Sequence, residues 1–189
     1  SIECAKIDEI TRHCLLWQLH TMVRPSEATG ARWDEIDLIT RTWTIPLDRT
    51  KTKRKSHRVP LTDQTVSLLD NLKFLSGRRE HLFPSARNPS KSLNPQSPNM
   101  ALKRMGYSGR LVAHGFRTIA STALNEAGWE SDLIEAALSH LGKDEVRNAY
   151  NRSDFLERRR PLMCAWSDYL AQCACRSESA ALAAVAIRR

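Results

Sequence analysis

The stretch LSHLGKDEVRNAYNR, residues 138–152, decides how the rest of this chain is read. A helix-like run ends at His140, Gly142 follows as a stop, and a lone Tyr150 stands between Ala149 and Asn151. A glycine at this place lets the backbone leave the helix and turn. The histidine and the tyrosine, ten residues apart, can then be folded toward each other. Taken singly, Tyr150 reads as a core or surface side chain and His140 as a group that caps helix carbonyls. Their meaning depends on what else the chain can bring to the same place.

The 189 residues fit one domain of ordinary size, and 41% hydrophobic residues suffice for a real core. The formal net charge is +8 and the pI about 9.6. That balance favours a polyanionic partner, nucleic acid first and an acidic membrane surface second. No stretch approaches the ~18 apolar residues of a membrane span. The chain opens at Ser1 without a basic-then-apolar signal segment, and a start without methionine is expected of a piece of something longer. The five cysteines (Cys4, Cys14, Cys164, Cys173 and Cys175) are odd in number, and no pair has the two-residue spacing of a zinc or redox motif. Reduced thiols are expected. There is no internal repeat.

Working outward, residues 5–21 carry apolar positions at helical spacing (Ile7, Ile10, Cys14, Leu15) and predict a helix. In VRPSEATGARW, Pro25 suits the first turn of a new helix, and Arg24 before it is pushed to an extended conformation at the junction. Trp43, Ile45 and Leu47 alternate with polar residues, as do Val59 and Leu61. This predicts two or three short antiparallel strands with a basic hairpin between the last two. Within residues 49–58, RTKTKRKSHR, six of ten are Lys or Arg. Helical spacing returns after Leu61 and stops at Gly77. Residues 83–100 read as a Pro/Ser/Asn-rich surface loop. Further helices are expected over 98–105 with Gly106 as the cap, from Gly115 to a stop at Gly128, and over SDLIEAALSH, where Asp132 and Glu135 have capping-box spacing. Asp144 is expected to cap a short helix carrying Tyr150, and FLERRRPLMCAWSDYLAQ to form one more. The fold class is therefore mainly α with a small antiparallel β-sheet (α+β).

The side chains with chemistry are few. His114 and Arg117 are three apart and share a face if both are helical. Arg24 sits at a helix entrance, where free backbone N–H groups also favour an anion. With His140, Tyr150 and the lysine-rich hairpin, the chain offers two guanidiniums, two imidazoles, ammonium groups and a phenol. Phosphoryl transfer without a metal needs that inventory: positive charge for the equatorial oxygens, an acid for the leaving group and a nucleophile.

The order VRPSEATGARWDEIDL, TKTKRKSHRVPL, HLFPS, AHGFRTIASTALNEAG and LSHLGKDEVRNAYNRSDFLERRRPLMCAWSDYL resembles the catalytic domain of tyrosine recombinases, and within them the prophage and genomic-island integrases. The resemblance covers about residues 5–172. It implies that Arg24 and Arg117 match the family's two arginines and that His114 matches the residue three before the second. It also implies that His140 occupies the position held by His or Trp, and that Tyr150 is the nucleophile. The hairpin lysine it implies is Lys51. The gap from Lys51 to Pro60 is one residue longer than usual, which leaves Lys53 as the alternative.

The implied chemistry is site-specific recombination through a 3′-phosphotyrosyl intermediate with a free 5′-hydroxyl, without metal, ATP or other cofactor. Lys53, Arg54, Lys55 and Arg58 are expected to contact DNA. The implied partners are double-stranded DNA attachment sites, with a tetramer on DNA, a monomer or weak oligomer when free, and no membrane. The implied location is the bacterial cytoplasm, on nucleoid DNA. Residues 1–175 are expected to be the catalytic domain, and 176–189 a tail that packs on a neighbouring protomer or is disordered. The arm-binding and core-binding domains of full integrases are expected to be missing from this chain. Three rivals stand beside this reading. A metal-dependent nuclease would use Asp34, Glu35, Asp37 and Asp48 ahead of Lys51. A DNA-binding module without chemistry would use the hairpin alone. A type IB topoisomerase would share fold and chemistry.

Overall fold

The computed structural model describes residues 2, 5–51, 53, 55–140 and 154–186, with side chains as far as Arg176. Cys4, Arg54, Gly142, Asp144 and Tyr150 lie outside the described residues. The elements are helices α1 (Glu9–Thr21) and α2 (Pro25–Thr29), strands β1 (Ile36–Asp37), β2 (Thr42–Ile45) and β3 (His57–Pro60), then helices α3 (Asp63–Ser76), α4 (Ser97–Leu102), α5 (Gly115–Glu126), α6 (Ser131–Ala137) and α7 (Leu156–Ala186). The chain is thus mainly helical, and its strands form one antiparallel sheet in the order β1-β2-β3.

Local chemistry explains most boundaries. The first helix begins four residues later than its periodicity suggests. Asp8 stops it there by accepting from the Thr11 backbone N–H at 2.9 Å. Thr62 caps α3 in the same way. The expected helix over 98–105 breaks after Leu102 into one wide turn, Lys103–Tyr107, because Gly106 adopts φ 88°. Gly128, at φ 81°, closes the exit from α5. Leu47 does not continue β2. It opens a 3-10 turn (Leu47–Arg49) and is half exposed. The expected capping box on α6 is absent. Glu130 precedes the helix instead of Asp132, and the Glu135 carboxylate is used elsewhere. α7 is continuous for 31 residues, well past the segment whose periodicity is clear.

The sheet packs between helices. In register, Trp43 stands opposite Val59 and Ile45 opposite His57. Trp17 of α1 meets Trp43 with ring centroids 5.1 Å apart at 55°, a tilted pair worth about 1 kcal/mol beyond its buried area. Leu69 and Leu72 of α3, Leu133 and Ile134 of α6, and Leu162 and Trp166 of α7 complete this core. A second cluster of Leu15, Leu102, Ala113 and Phe116 seats the start of α5 on α1 and α4. Between the clusters, the fully buried Gln18 donates to the carbonyls of Ala113 (3.0 Å) and Val23 (3.4 Å). Those residues immediately precede His114 and Arg24, so one amide fixes both junctions.

Candidate active site

Arg24 is extended, φ −69° and ψ 150°, as a residue before proline should be. Its backbone N–H and its Nη1 donate to the two oxygens of Glu27, at 2.9 and 3.0 Å. Glu27 is 1% exposed, so this carboxylate is a buried acceptor dedicated to holding Arg24. The other fork of Arg24, Nη2, donates to the Ser139 carbonyl at 3.1 Å.

Arg117 lies in the first turn of α5, 3% exposed. Its Nη1 donates to the carbonyl of Met22, the left-handed residue that ends α1, and its Nη2 to the carbonyl of Leu138 at the end of α6. The two arginines therefore grip consecutive carbonyls, Leu138 and Ser139, directly ahead of His140. Nη2 of Arg117 also lies 3.0 Å from Nε2 of His140, and Nδ1 of that ring lies 2.7 Å from Glu135 Oε2. Guanidinium can only donate. Nε2 therefore accepts, and Nδ1 carries the proton that it donates to Glu135. The tautomer is fixed by its partners. Burial, and next the charge of Arg24, lower the Arg117 pKa to about 10, while Glu27 and Glu135 oppose the shift. The guanidinium stays charged at neutral pH, and its buried Nε–H has no hydrogen-bond partner.

His114 is exposed one turn ahead of Arg117, on the same face, with helical dihedrals. Its pKa is lowered by desolvation first and then by the charges of Arg117, Arg24, Lys51 and His140. Those same four residues were singled out in the sequence, and all of them act electrostatically on one imidazole. Lys51 projects, exposed, from the turn after Arg49. Lys53 is exposed too, with φ 50°. Lys55 is likewise exposed. Arg58 is engaged: its Nε and Nη2 donate to both oxygens of Asp154, at 2.6 and 2.8 Å. Tyr150 and Arg54 lie outside the described residues.

Several residues here escaped the sequence reading. Glu27 had a signal, an acid three residues after a helix start. Arg159 of α7, 1% exposed, donates to the carbonyls of Arg58 (2.7 Å) and Ala136 (3.5 Å), joining β3 to α6. His57, buried in β3, has no partner on either ring nitrogen. Burial, then the charges of Arg159, Arg117 and Arg24, lower its pKa to about 3. No local pattern announces these two, because their partners come from distant elements.

The acids of the nuclease reading line a separate open cavity of about 430 Å³ with Arg32 and Arg49. Glu35 there accepts from Arg49, from Trp43 Nε1 (3.0 Å) and from the Arg32 backbone (3.1 Å). Asp37 accepts from Thr40 and Ile39 in its own turn. Among the described residues no group of three or more His, Cys, Asp or Glu is arranged to hold a metal ion.

A cluster of two largely buried arginines with two imidazoles and an exposed lysine has the chemistry to meet a phosphodiester. Residues 2–157 match the phage integrase family, and the chain belongs to that family. The prophage integrase IntA of Escherichia coli (strain K12) is 53% identical over 168 residues, covering 89% of this chain and 40% of that protein. The chain thus spans about two fifths of the length of this curated relative. Among solved structures, the integrase from mycobacterium phage Brujita shares the fold with a TM-score of 0.63 at 22% identity, covering 86% of this chain and 53% of that one. The XerH site-specific recombinase bound to its difH substrate, a pre-cleavage complex, has a TM-score of 0.56 at 17% identity, covering 80% and 50%.

Proposed function

We propose that this chain is the catalytic domain, residues 1–175, of an integrase: a site-specific recombinase that cuts and rejoins double-stranded DNA at attachment sites. The observation that carries the reading is the double grip of Arg24 and Arg117 on the carbonyls of Ser139 and Leu138, which seats the His140 ring against the Arg117 guanidinium. Non-bridging phosphate oxygens placed there meet donors already oriented for the charge that builds in the transition state.

In this mechanism the Tyr150 hydroxyl oxygen attacks phosphorus and its proton passes to His114, whose lowered pKa keeps it free to accept. The bond from phosphorus to the 5′-oxygen breaks, and Lys51 gives that oxygen a proton. The products are a 3′-phosphotyrosyl link and a 5′-hydroxyl. A 5′-hydroxyl from another strand reverses the steps, because a phenolate (pKa about 10) leaves far more readily than a sugar alkoxide. Lys53, Arg54 and Lys55 supply phosphate contacts along the duplex, with Arg58 partly committed to Asp154. The protein works as a tetramer assembled on DNA, in the bacterial cytoplasm on the nucleoid. Among the described residues no helix is long and apolar enough to cross a membrane.

The test is a nicked suicide duplex carrying the attachment-site core, incubated in excess EDTA and run on a denaturing gel. A covalent protein–DNA band is expected. Cleavage that requires Mg²⁺ and leaves no adduct would return the acids of the hairpin cavity to consideration.

A further inference from the structure

Lys51 stands on a braced base, and the brace is Arg49. Its guanidinium, 16% exposed, donates from Nη1 to Glu35 Oε1 and from Nη2 to the Glu27 carbonyl at 3.0 Å. Glu35 is itself fixed by the Trp43 indole and the Arg32 backbone. The guanidinium lies against the bare face of Gly30, where a Cβ would come within 3.0 Å of Nη2. Next in sequence, Thr50 is buried and donates its hydroxyl to the Leu47 carbonyl at 2.9 Å, closing the 3-10 turn. Lys51 therefore leaves a backbone pinned at residues 49 and 50. Glu27 serves both halves of the site, its carbonyl receiving Arg49 and its carboxylate holding Arg24.

We propose that Arg49 is a positioning residue for Lys51. By docking the hairpin on α2, which carries Glu27 and follows directly on Arg24, it sets where the ammonium meets the leaving 5′-oxygen. This rests on the proposed function of Lys51 as general acid. A lysine side chain is long and flexible, so its reach is set by where its Cα is held. A misplacement of about 1 Å costs a catalytic group up to about 100-fold. The alternative is that Arg49 only maintains the fold, or acts through Glu27 on Arg24.

The leaving group separates these possibilities. A substrate with sulfur in the bridging 5′ position leaves as a thiolate, with a pKa near 8.5 if it behaves like a cysteine side chain, and needs no proton. Arg49→Lys keeps the charge and loses the fork. It should cleave the oxygen substrate about 10- to 100-fold more slowly and the sulfur substrate at close to the wild-type rate. Glu35→Gln, which preserves shape, should behave in the same way and carries the test if Arg49→Lys does not fold. Equal slowing on both substrates for both variants overturns the inference. Lys51→Ala is the control. If sulfur does not rescue it, the general-acid reading itself fails. If sulfur rescues Lys51→Ala but neither Arg49→Lys nor Glu35→Gln, only the positioning role falls.

Discussion

Arg117 donates to Nε2 of His140 at 3.0 Å while Nδ1–H of the same ring donates to Glu135 at 2.7 Å, so a carboxylate, an imidazole and a guanidinium form one chain. Glu135 and His140 are both about half exposed, and such a pair adds little to stability. Its value is orientation, since the ring cannot flip without breaking both contacts.

Glu135→Ala is therefore expected to slow adduct formation about 10-fold, the rate equivalent of one charge-assisted hydrogen bond of roughly 1.5 kcal/mol. Glu135→Gln retains an acceptor for Nδ1–H and should stay within a few-fold of wild type. In a His140→Ala background, Glu135→Ala should add nothing, because the two act as a unit. Rates on the suicide duplex measure all three. Additive losses would show that Glu135 acts elsewhere.

Stability should depend on pH through two histidines, the buried His57 and the partly buried His20. Burial and three arginine charges hold His57 at about 3, and burial holds His20 at about 4. In the unfolded chain both titrate near 6.5. Between these values the unfolded state binds more protons, so the stability they contribute is present above about pH 6.5 and is lost as pH falls toward the folded values. Near pH 5 each contributes a slope of about 1.4 kcal/mol per pH unit. His57→Leu should flatten the pH dependence of urea unfolding by about that amount. An unchanged slope would mean that His57 is not held neutral in the fold.

Lys51 and Lys53 should separate cleanly. The charge of Lys51 is among those that lower the His114 pKa. Lys51→Ala should cut the oxygen substrate about 100-fold more slowly, the scale for losing a general acid. Lys53→Ala should mainly reduce the salt dependence of DNA binding by about one phosphate contact. A cleavage defect at Lys53 that the sulfur substrate rescues would exchange their roles.

The placement of several candidate site residues was legible because it rests on local rules. Pro25 forces Arg24 out of helical dihedrals, three-residue spacing puts His114 and Arg117 on one face, and Gly128 ends α5 with a positive φ. The fold class followed from helical and alternating periodicity, and the family from the order of the motifs. What could not be read was the choice of distant partners. Glu135 has the spacing of a capping box, yet α6 starts after Glu130 and the Glu135 carboxylate goes to His140. Arg49, Arg58 and Arg159 look alike in a basic sequence. One braces the hairpin, one pairs with Asp154, and one is buried between β3 and α6. Only the tertiary structure distinguishes a buried guanidinium from one offered to phosphate.

The most direct measurement is to digest the covalent adduct from the suicide duplex and map the nucleotide-bearing peptide by mass spectrometry. A 3′-phosphotyrosyl link at Tyr150 is expected, with no adduct from Tyr150→Phe and DNA affinity nearly unchanged, because binding comes mainly from other phosphate contacts. A link at Tyr107 or Tyr169, or an adduct that survives Tyr150→Phe, would contradict it.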